Sequence, residues 1–292
     1  MGLPVHNGAA RIEHVVGSVL AQDHQNVELV ICDNASTDST EDLCRDLAAR
    51  DERIVYHRRA TDVGQLNNFV GALHLAQGTF FRWVSDDDWL APNCISRCLA
   101  EFAIDDRLIL VTTQVDYTGP DGRTSSARYD GTELGSDDPI ARFSEMLRLQ
   151  NESHLLMDPL YGVMRRARVL DIGRRNMLRE DEVFAAKLAL AGPWGHVPEV
   201  LARRTWHGDR SSILARRLGV AAWQAHFATT LQCRELLRYL SDCDLSENQR
   251  RTARRAVTRL YARRQQIRVA RGGRRIAGHV SAIVTRPPTV SE

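Results

Sequence analysis

From residue 1 to about residue 115, short apolar runs rich in β-branched residues alternate with amphipathic stretches, a pattern that predicts a largely parallel sheet covered by helices. The expected fold class is α/β. Strands are expected at residues 2–6, 27–33, 53–58, 79–85 and 108–115, and helices at 10–22, 39–50, 65–76 and 93–102. Ligands of open α/β sheets sit just beyond the carboxyl ends of the strands. The three most polar of those ends, at His6-Asn7, 33–38 and 85–88, are therefore expected to converge on one crevice.

Farther along, a Gly-Pro-Asp-Gly turn at 119–122 between two extended runs predicts a hairpin. A helix over about 137–149, a strand at 160–164, and a helix from near Asp181 to the Gly192-Pro193 stop follow. An extended run at 195–205 then leads to His207. After about residue 212 the texture changes to long helical patterns with few turn signals. The chain thus divides into an α/β part, 1–212, and a helical part, 213–292. Residues 250–275 hold 11 arginines and no acid, and Ala253, Ala256, Val257, Leu260, Tyr261 and Ile267 make one apolar stripe at helical spacing among them.

A chain of 292 residues, 43% hydrophobic, can bury an ordinary core, which excludes a disordered chain or a bare peptide. The net charge of +2 conceals an asymmetry: residues 1–200 carry 20 basic and 31 acidic side chains, whereas 201–292 carry 19 basic and 6 acidic ones. Six cysteines without paired spacing are read as core thiols of a reducing cytoplasm, Cys94 and Cys98 included. No leader-like segment and no run of roughly 18–20 apolar residues is present, so the expectation is a cytoplasmic protein that is not integral to a membrane.

The strongest chemical signal is Ser85-Asp86-Asp87-Asp88-Trp89, three successive carboxylates at a strand end. Like charges this close repel by on the order of 1 kcal/mol even in water, which a neighbouring Mg²⁺ or Mn²⁺ would relieve. The plainer alternative is an exposed acidic turn or a helix cap at Asp88. At the second polar end, Asp38 or Ser39 accounts for a helix cap, but Asp33-Asn34 is left over and suits the edge of a nucleobase. Arg179-Glu180-Asp181-Glu182 opens a helix, where acids complement the macrodipole or one of them serves as a general base.

In order along the chain, these pieces resemble the family 2 glycosyltransferases. The matching residues are Leu3-Pro4-Val5-His6-Asn7-Gly8, Asp33-Asn34-Ala35-Ser36-Thr37-Asp38-Ser39-Thr40, Gly64 with Asn67-Asn68-Phe69, Ala76-Gln77-Gly78-Thr79-Phe80-Phe81, Ser85-Asp86-Asp87-Asp88-Trp89-Leu90-Ala91-Pro92, Tyr161-Gly162-Val163, Glu180-Asp181, and Pro198-Glu199-Val200-Leu201 leading to His207 and Ser211-Ser212. The resemblance implies a GT-A fold, Rossmann-like, with a helical C-terminal extension. It also implies an inverting, metal-dependent transfer of sugar from a nucleoside-diphosphate sugar to an acceptor hydroxyl. Pro4, Asn7, Asp33 and Asn34 would line the nucleoside pocket, with Asp86 near the ribose. Asp87 would be the main carboxylate on Mn²⁺ or Mg²⁺ bridging the donor phosphates, and His207 would reach the same metal or diphosphate. Asp88 would support Asp87 or the acceptor, Asp181 would be the base, and Trp89 and Glu180 would be acceptor or supporting residues.

Two alternatives share this sheet. A sugar-phosphate nucleotidyltransferase usually carries a glycine-rich basic loop after the first strand, whereas residues 7–12 hold only Gly8 and Arg11. An inactive nucleotide-sugar-binding scaffold is the other, kept open by Ser85 where many family members have aspartate. Three placements are open for the basic tail: an anionic membrane surface, which would put the protein at the inner face of the membrane, the catalytic domain, or a second copy of the chain in a homodimer. No nucleic acid is expected, because no recognised module accompanies the charge.

Overall fold

A computed structural model describes residues 1–153, 156–206 and 211–284, with 271–284 as helical backbone. The first third alternates β1 (Gly2–Val5), α1 (Ile12–Leu20), β2 (Leu29–Asp33), α2 (Thr40–Arg50), β3 (Ile54–Arg58) and α3 (Gln65–Leu75). Next come β4 (Phe80–Phe81), β5 (Trp89–Leu90), α4 (Cys94–Ile104), β6 (Leu110–Thr118), β7 (Thr124–Ser125), α5 (Pro139–Glu152), β8 (Val163–Arg165) and α6 (Arg166–Val169). The chain then forms α7 (Glu180–Ala191), β9 (Trp194–Thr205), α8 (Ser211–Arg217), α9 (Gln224–Asp242) and α10 (Glu247–Val284).

Strands β1, β2 and β3 pair in parallel with β2 in the middle, and a second ladder runs β4-β8-β6-β9-β5. The two ladders meet where Gly2 N–H donates to the Arg82 carbonyl and Val84 N–H to the Gly2 carbonyl, both at 2.9 Å. The strand expected at 79–85 therefore exists as an extended segment that changes partner, pairing with β8 at Phe80–Phe81 and with β1 at Trp83. The short strand β5 and the short helix α6 were not anticipated, and the strand expected at 160–164 starts only at Val163, because Pro159–Tyr161 forms a 3₁₀ turn. The hairpin forms as expected, closed by Gly119 N–H on the Arg123 carbonyl at 2.9 Å. In β9, the register against β6 jumps from Val197 to Val200. Pro198 lies in that jump, where a residue without an N–H is best accommodated.

Apolar side chains of α1, α4 and β1–β3 form one buried cluster, and Phe81, Trp83, Phe184 and Leu188 anchor another on the opposite side of the sheet. A third joins Phe143 and Leu147 of α5, Val183 of α7, Leu236 and Leu240 of α9, and Leu260 of α10. Ala253, Ala256, Val257 and Leu260 are buried there, whereas Tyr261 is exposed, so the first half of the predicted stripe packs on the α/β part. Among the described residues, no helix is long and apolar enough to cross a membrane.

Gly162 lets the chain cross β6 closely: a Cβ there would lie 2.5 Å from Leu110 Cδ1 and 2.9 Å from the Val111 carbonyl oxygen. Gly162→Ala is expected to lower unfolding stability by about 1–3 kcal/mol through overpacking, read from the midpoint of chemical denaturation.

Candidate active site

At the ends of β1 and β2 the loops are tied to each other. Asn7 has a left-handed φ of 53°; its N–H donates to Ser36 Oγ at 2.9 Å and its Oδ1 accepts from Thr37 N–H at 2.8 Å. Asp33 is fully buried, accepting from Ser36 N–H at 2.8 Å and from the Tyr56 hydroxyl at 2.7 Å. Asn34 donates to Asp62 Oδ1 at 2.5 Å and accepts from Val63 N–H at 2.9 Å. Asp33 and Asn34 are thus both buried, with their polar groups engaged inside the protein. Pro4 sits within the buried β1, beside Cys32 of β2. Asp38 caps the turn into α2, accepting from Thr40 N–H at 3.0 Å, and the Thr40 hydroxyl holds its pKa below the ordinary range.

The three successive acids diverge. Asp86 pairs with Arg11, whose Nε donates to it at 3.0 Å. Asp88 is buried: its Oδ2 accepts from Ser85 N–H at 2.8 Å and its Oδ1 from Arg204 Nε at 2.8 Å. It is not a helix cap, since α4 begins only at Cys94. Burial raises the pKa of Asp88, opposed chiefly by the charge of Arg204. Arg204 in turn pairs with Asp158 and lies over the Tyr161 ring, 3.3 Å from its centroid. Trp89 begins β5 with the Arg203 guanidinium 4.7 Å from its ring centroid, which makes it a packing surface for β9.

Asp87, between Asp86 and Asp88 in the sequence, is half-buried. Among the described residues, no group of three or more His, Cys, Asp or Glu could enclose a metal. The donor set suits a hard cation that takes one or two carboxylates and completes its shell from phosphate oxygens. His207 lies outside the described residues.

A cavity of about 460 Å³ opens beside Arg204, and Tyr117, Asp158, Tyr161, Arg174 and Asp181 share its wall. Arg179 precedes α7 with a left-handed φ of 66°, an unusual conformation for a residue with a Cβ, and the three acids that follow, successive in the first turn of the helix, point in three directions. Glu180 forms a two-pronged pair with Arg174, both contacts 2.6 Å, and Arg174 stacks 4.5 Å from the Phe184 centroid and 5.3 Å from that of Trp83. Glu182 pairs with Arg179 at 2.5 Å and also with Arg264. Between them Asp181 faces the cavity. Asp181 is solvent-exposed at this wall, and partial desolvation by the protein behind it, followed by the charges of Glu182, Glu180 and Asp158, pushes its pKa up to about 7. A carboxyl poised there can accept a proton near neutrality.

The residue that joins the two halves of the site, Arg204, was missed from the sequence. One signal was available: Arg204 is two residues from the apolar Ala202 and so on the same face of the strand, and an inward arginine needs an acid. Asp158 and Arg174 carried no such signal.

Comparison with known proteins gives the same fold. The chain superposes on S. aureus TarS residues 1–349 with a TM-score of 0.62 and 17% identity, covering 89% of this chain and 70% of that one. It superposes on the mannosyltransferase PcManGT of Pyrobaculum calidifontis, solved with GDP-Man and Mn²⁺, with a TM-score of 0.57 and 15% identity over 98% and 80% of the two chains. By sequence it is 26% identical over 233 residues to the hyaluronan synthase of Pasteurella multocida, 79% of this chain but 22% of that protein. It is 27% identical over 218 residues to the chondroitin synthase of Escherichia coli, 72% of this chain and 29% of that one. The chain therefore spans less than a third of the length of these synthases. Residues 2–169, more than half of the chain, match the model of glycosyl transferase family 2, and the chain belongs to that family, with its GT-A fold.

Proposed function

We propose that this glycosyltransferase moves a sugar from a nucleoside-diphosphate sugar to an acceptor hydroxyl by a single displacement that inverts the anomeric carbon. The observation that carries the reading is Asp181, a carboxyl with a pKa near 7 on the wall of a cavity whose volume suits a small ligand. Support for the donor class comes from the neighbours solved with UDP-GlcNAc and with GDP-Man.

In this reading the acceptor oxygen attacks the anomeric carbon while Asp181 takes its proton, and the bond to the diphosphate breaks with its electron pair leaving on the nucleoside diphosphate. Pro4, Asn7, Asp33 and Asn34 shape the nucleoside end, and Asp86 lies toward the ribose. Asp87 would hold a divalent cation, with His207 as a further ligand. Mg²⁺ or Mn²⁺, when bound there, offsets the charge that grows on the leaving diphosphate. Asp88 acts through Arg204 and Glu180 through Arg174, each fixing one wall of the cavity. The functional boundary falls near residue 212, with the helical part bracing the start of α7. The two proposals left for the tail, a membrane surface and self-association, concern the part of α10 beyond Leu260.

A thermal-shift screen of UDP-, dTDP- and GDP-sugars with and without Mn²⁺ tests the donor class. One nucleotide is expected to raise the melting temperature in the presence of the metal, since a ligand at a hundredfold excess over Kd stabilises by about 2.7 kcal/mol. Asp87→Ala is expected to remove that rise and the slow release of nucleoside diphosphate. A screen in which no nucleotide sugar shifts the transition would contradict the proposal.

A further inference from the structure

The acids flanking Asp181 are both held by arginines, but the arginines come from different parts of the chain. Arg174, which holds Glu180, lies just before α7. Arg264, which holds Glu182, lies 82 residues downstream in α10. Its side chain is only 11% exposed. Its Nη2 also donates to the Gln150 carbonyl of α5 at 3.1 Å, and its Nη1 to Gln232 Oε1 of α9 at 2.7 Å. Gln232 Nε2 donates to Glu182 Oε2 at 3.0 Å, and Gln150 Nε2 donates to the Glu182 carbonyl at 2.8 Å. Four helices thus meet at Glu182, the residue that directly follows Asp181: α9 and α10 at its carboxylate and α5 at its main-chain carbonyl.

We propose that Arg264 is a positioning residue for the transfer reaction, holding the first turn of α7 in place and screening Asp181 from the charge of Glu182. The inference rests on the reading of Asp181 as the base. Glu182 has two oxygens and two guanidinium partners, Arg179 on Oε1 and Arg264 on Oε2, so loss of Arg264 leaves half of that carboxylate uncompensated. The other groups around Asp181 are already balanced locally: Glu180 by Arg174, and Asp158 by Arg204 with the Tyr117 hydroxyl donating at 3.2 Å. From α9 and α5 the facing groups are Gln232 and Gln150, which carry no charge. After desolvation, Glu182 is the next largest cause of the raised pKa of Asp181. A less screened Glu182 therefore raises it further and delays formation of the active carboxylate as pH rises.

The test is the pH dependence of kcat for nucleoside-diphosphate release from UDP-GlcNAc or GDP-Man by the full chain, with donor KM recorded alongside. Wild type is compared with Arg264→Gln, Arg264→Lys, Glu182→Gln and the Glu182→Gln/Arg264→Gln double variant, with Asp181→Asn as control. In Arg264→Gln the midpoint of the rising limb is expected about 0.5–1 pH unit higher. The rate should then be about two- to fivefold lower at pH 7 and equal to wild type near pH 9, with donor KM unchanged. Arg264→Lys should shift less, Glu182→Gln should shift the midpoint downward, and the double variant should lie no higher than wild type. A midpoint unmoved by Arg264→Gln, or a loss uniform at every pH, overturns the proposal. If Arg264→Gln does not fold, Glu182→Gln and Arg264→Lys decide it by the same midpoints. An Asp181→Asn enzyme with wild-type activity would instead sink the base assignment, separately from the role of Arg264.

Discussion

Asp181→Asn is expected to lower kcat for sugar transfer by about 10²–10⁴-fold while leaving donor affinity within about twofold of wild type. The wild-type rate should rise with pH through a midpoint near 7, where half of the Asp181 carboxylate is formed, and level off more than about one pH unit above it, and this limb should vanish in the variant. The same change is expected to make the protein more stable at pH 8. Folding raises the pKa of this acid from its ordinary 3.8 to about 7, so the folded state holds a proton that the unfolded chain releases. Asp181 is therefore neutral to stability below pH 4, and its cost grows as pH rises to about 7 and stays constant above it. The whole shift corresponds to about 4 kcal/mol. Because the carboxyl opens onto a wet cavity, about 1–2 kcal/mol is expected, vanishing at pH 4. Denaturation midpoints at the two pH values measure it.

Arg204→Met carries the largest expected cost to the fold. The guanidinium bridges Asp88, which is fully buried, and Asp158, so its removal leaves two acids without their common partner. Loss of one side of a buried pair typically costs about 3–5 kcal/mol, and that loss is expected here in urea unfolding at pH 7. Asp88→Asn in the same chain should recover about 1 kcal/mol or more, because the stranded charge is gone. An Arg204→Met protein within about 1 kcal/mol of wild type would mean that Asp88 is already protonated or finds another partner. The activity of that protein should also fall, since Tyr161 and Asp158 lose the group that holds them against the cavity.

The sequence resolves the early strands and helices well because each carries its own local pattern. Buried runs such as Leu29–Asp33 and half-buried helices such as Thr40–Arg50 announce themselves by period alone. The triple acid is different. Its spacing suggests one cluster, but the side chains go to Arg11, 75 residues upstream, and to Arg204, 116 residues downstream, and nothing local records those partners. The planar groups of Asp33 and Asn34, read as a nucleobase edge, bond to Ser36 nearby and, across to β3 and the segment after it, to Tyr56, Asp62 and Val63. Arg264 shows the same limit from the other direction. In the sequence it is one of 11 arginines in a basic tail, and only the packing of α5, α7, α9 and α10 singles it out.

In the proposed reaction Asp87 and Asp181 act on one donor sugar from its two ends. The most direct test is a crystal structure of the Asp181→Asn protein with an intact nucleoside-diphosphate sugar and Mn²⁺. The diphosphate is expected beside Asp87 and the anomeric carbon in the cavity, its free face turned toward residue 181 with room for one hydroxyl. A sugar lying outside that cavity, or with its leaving-group side facing residue 181, would contradict that reaction.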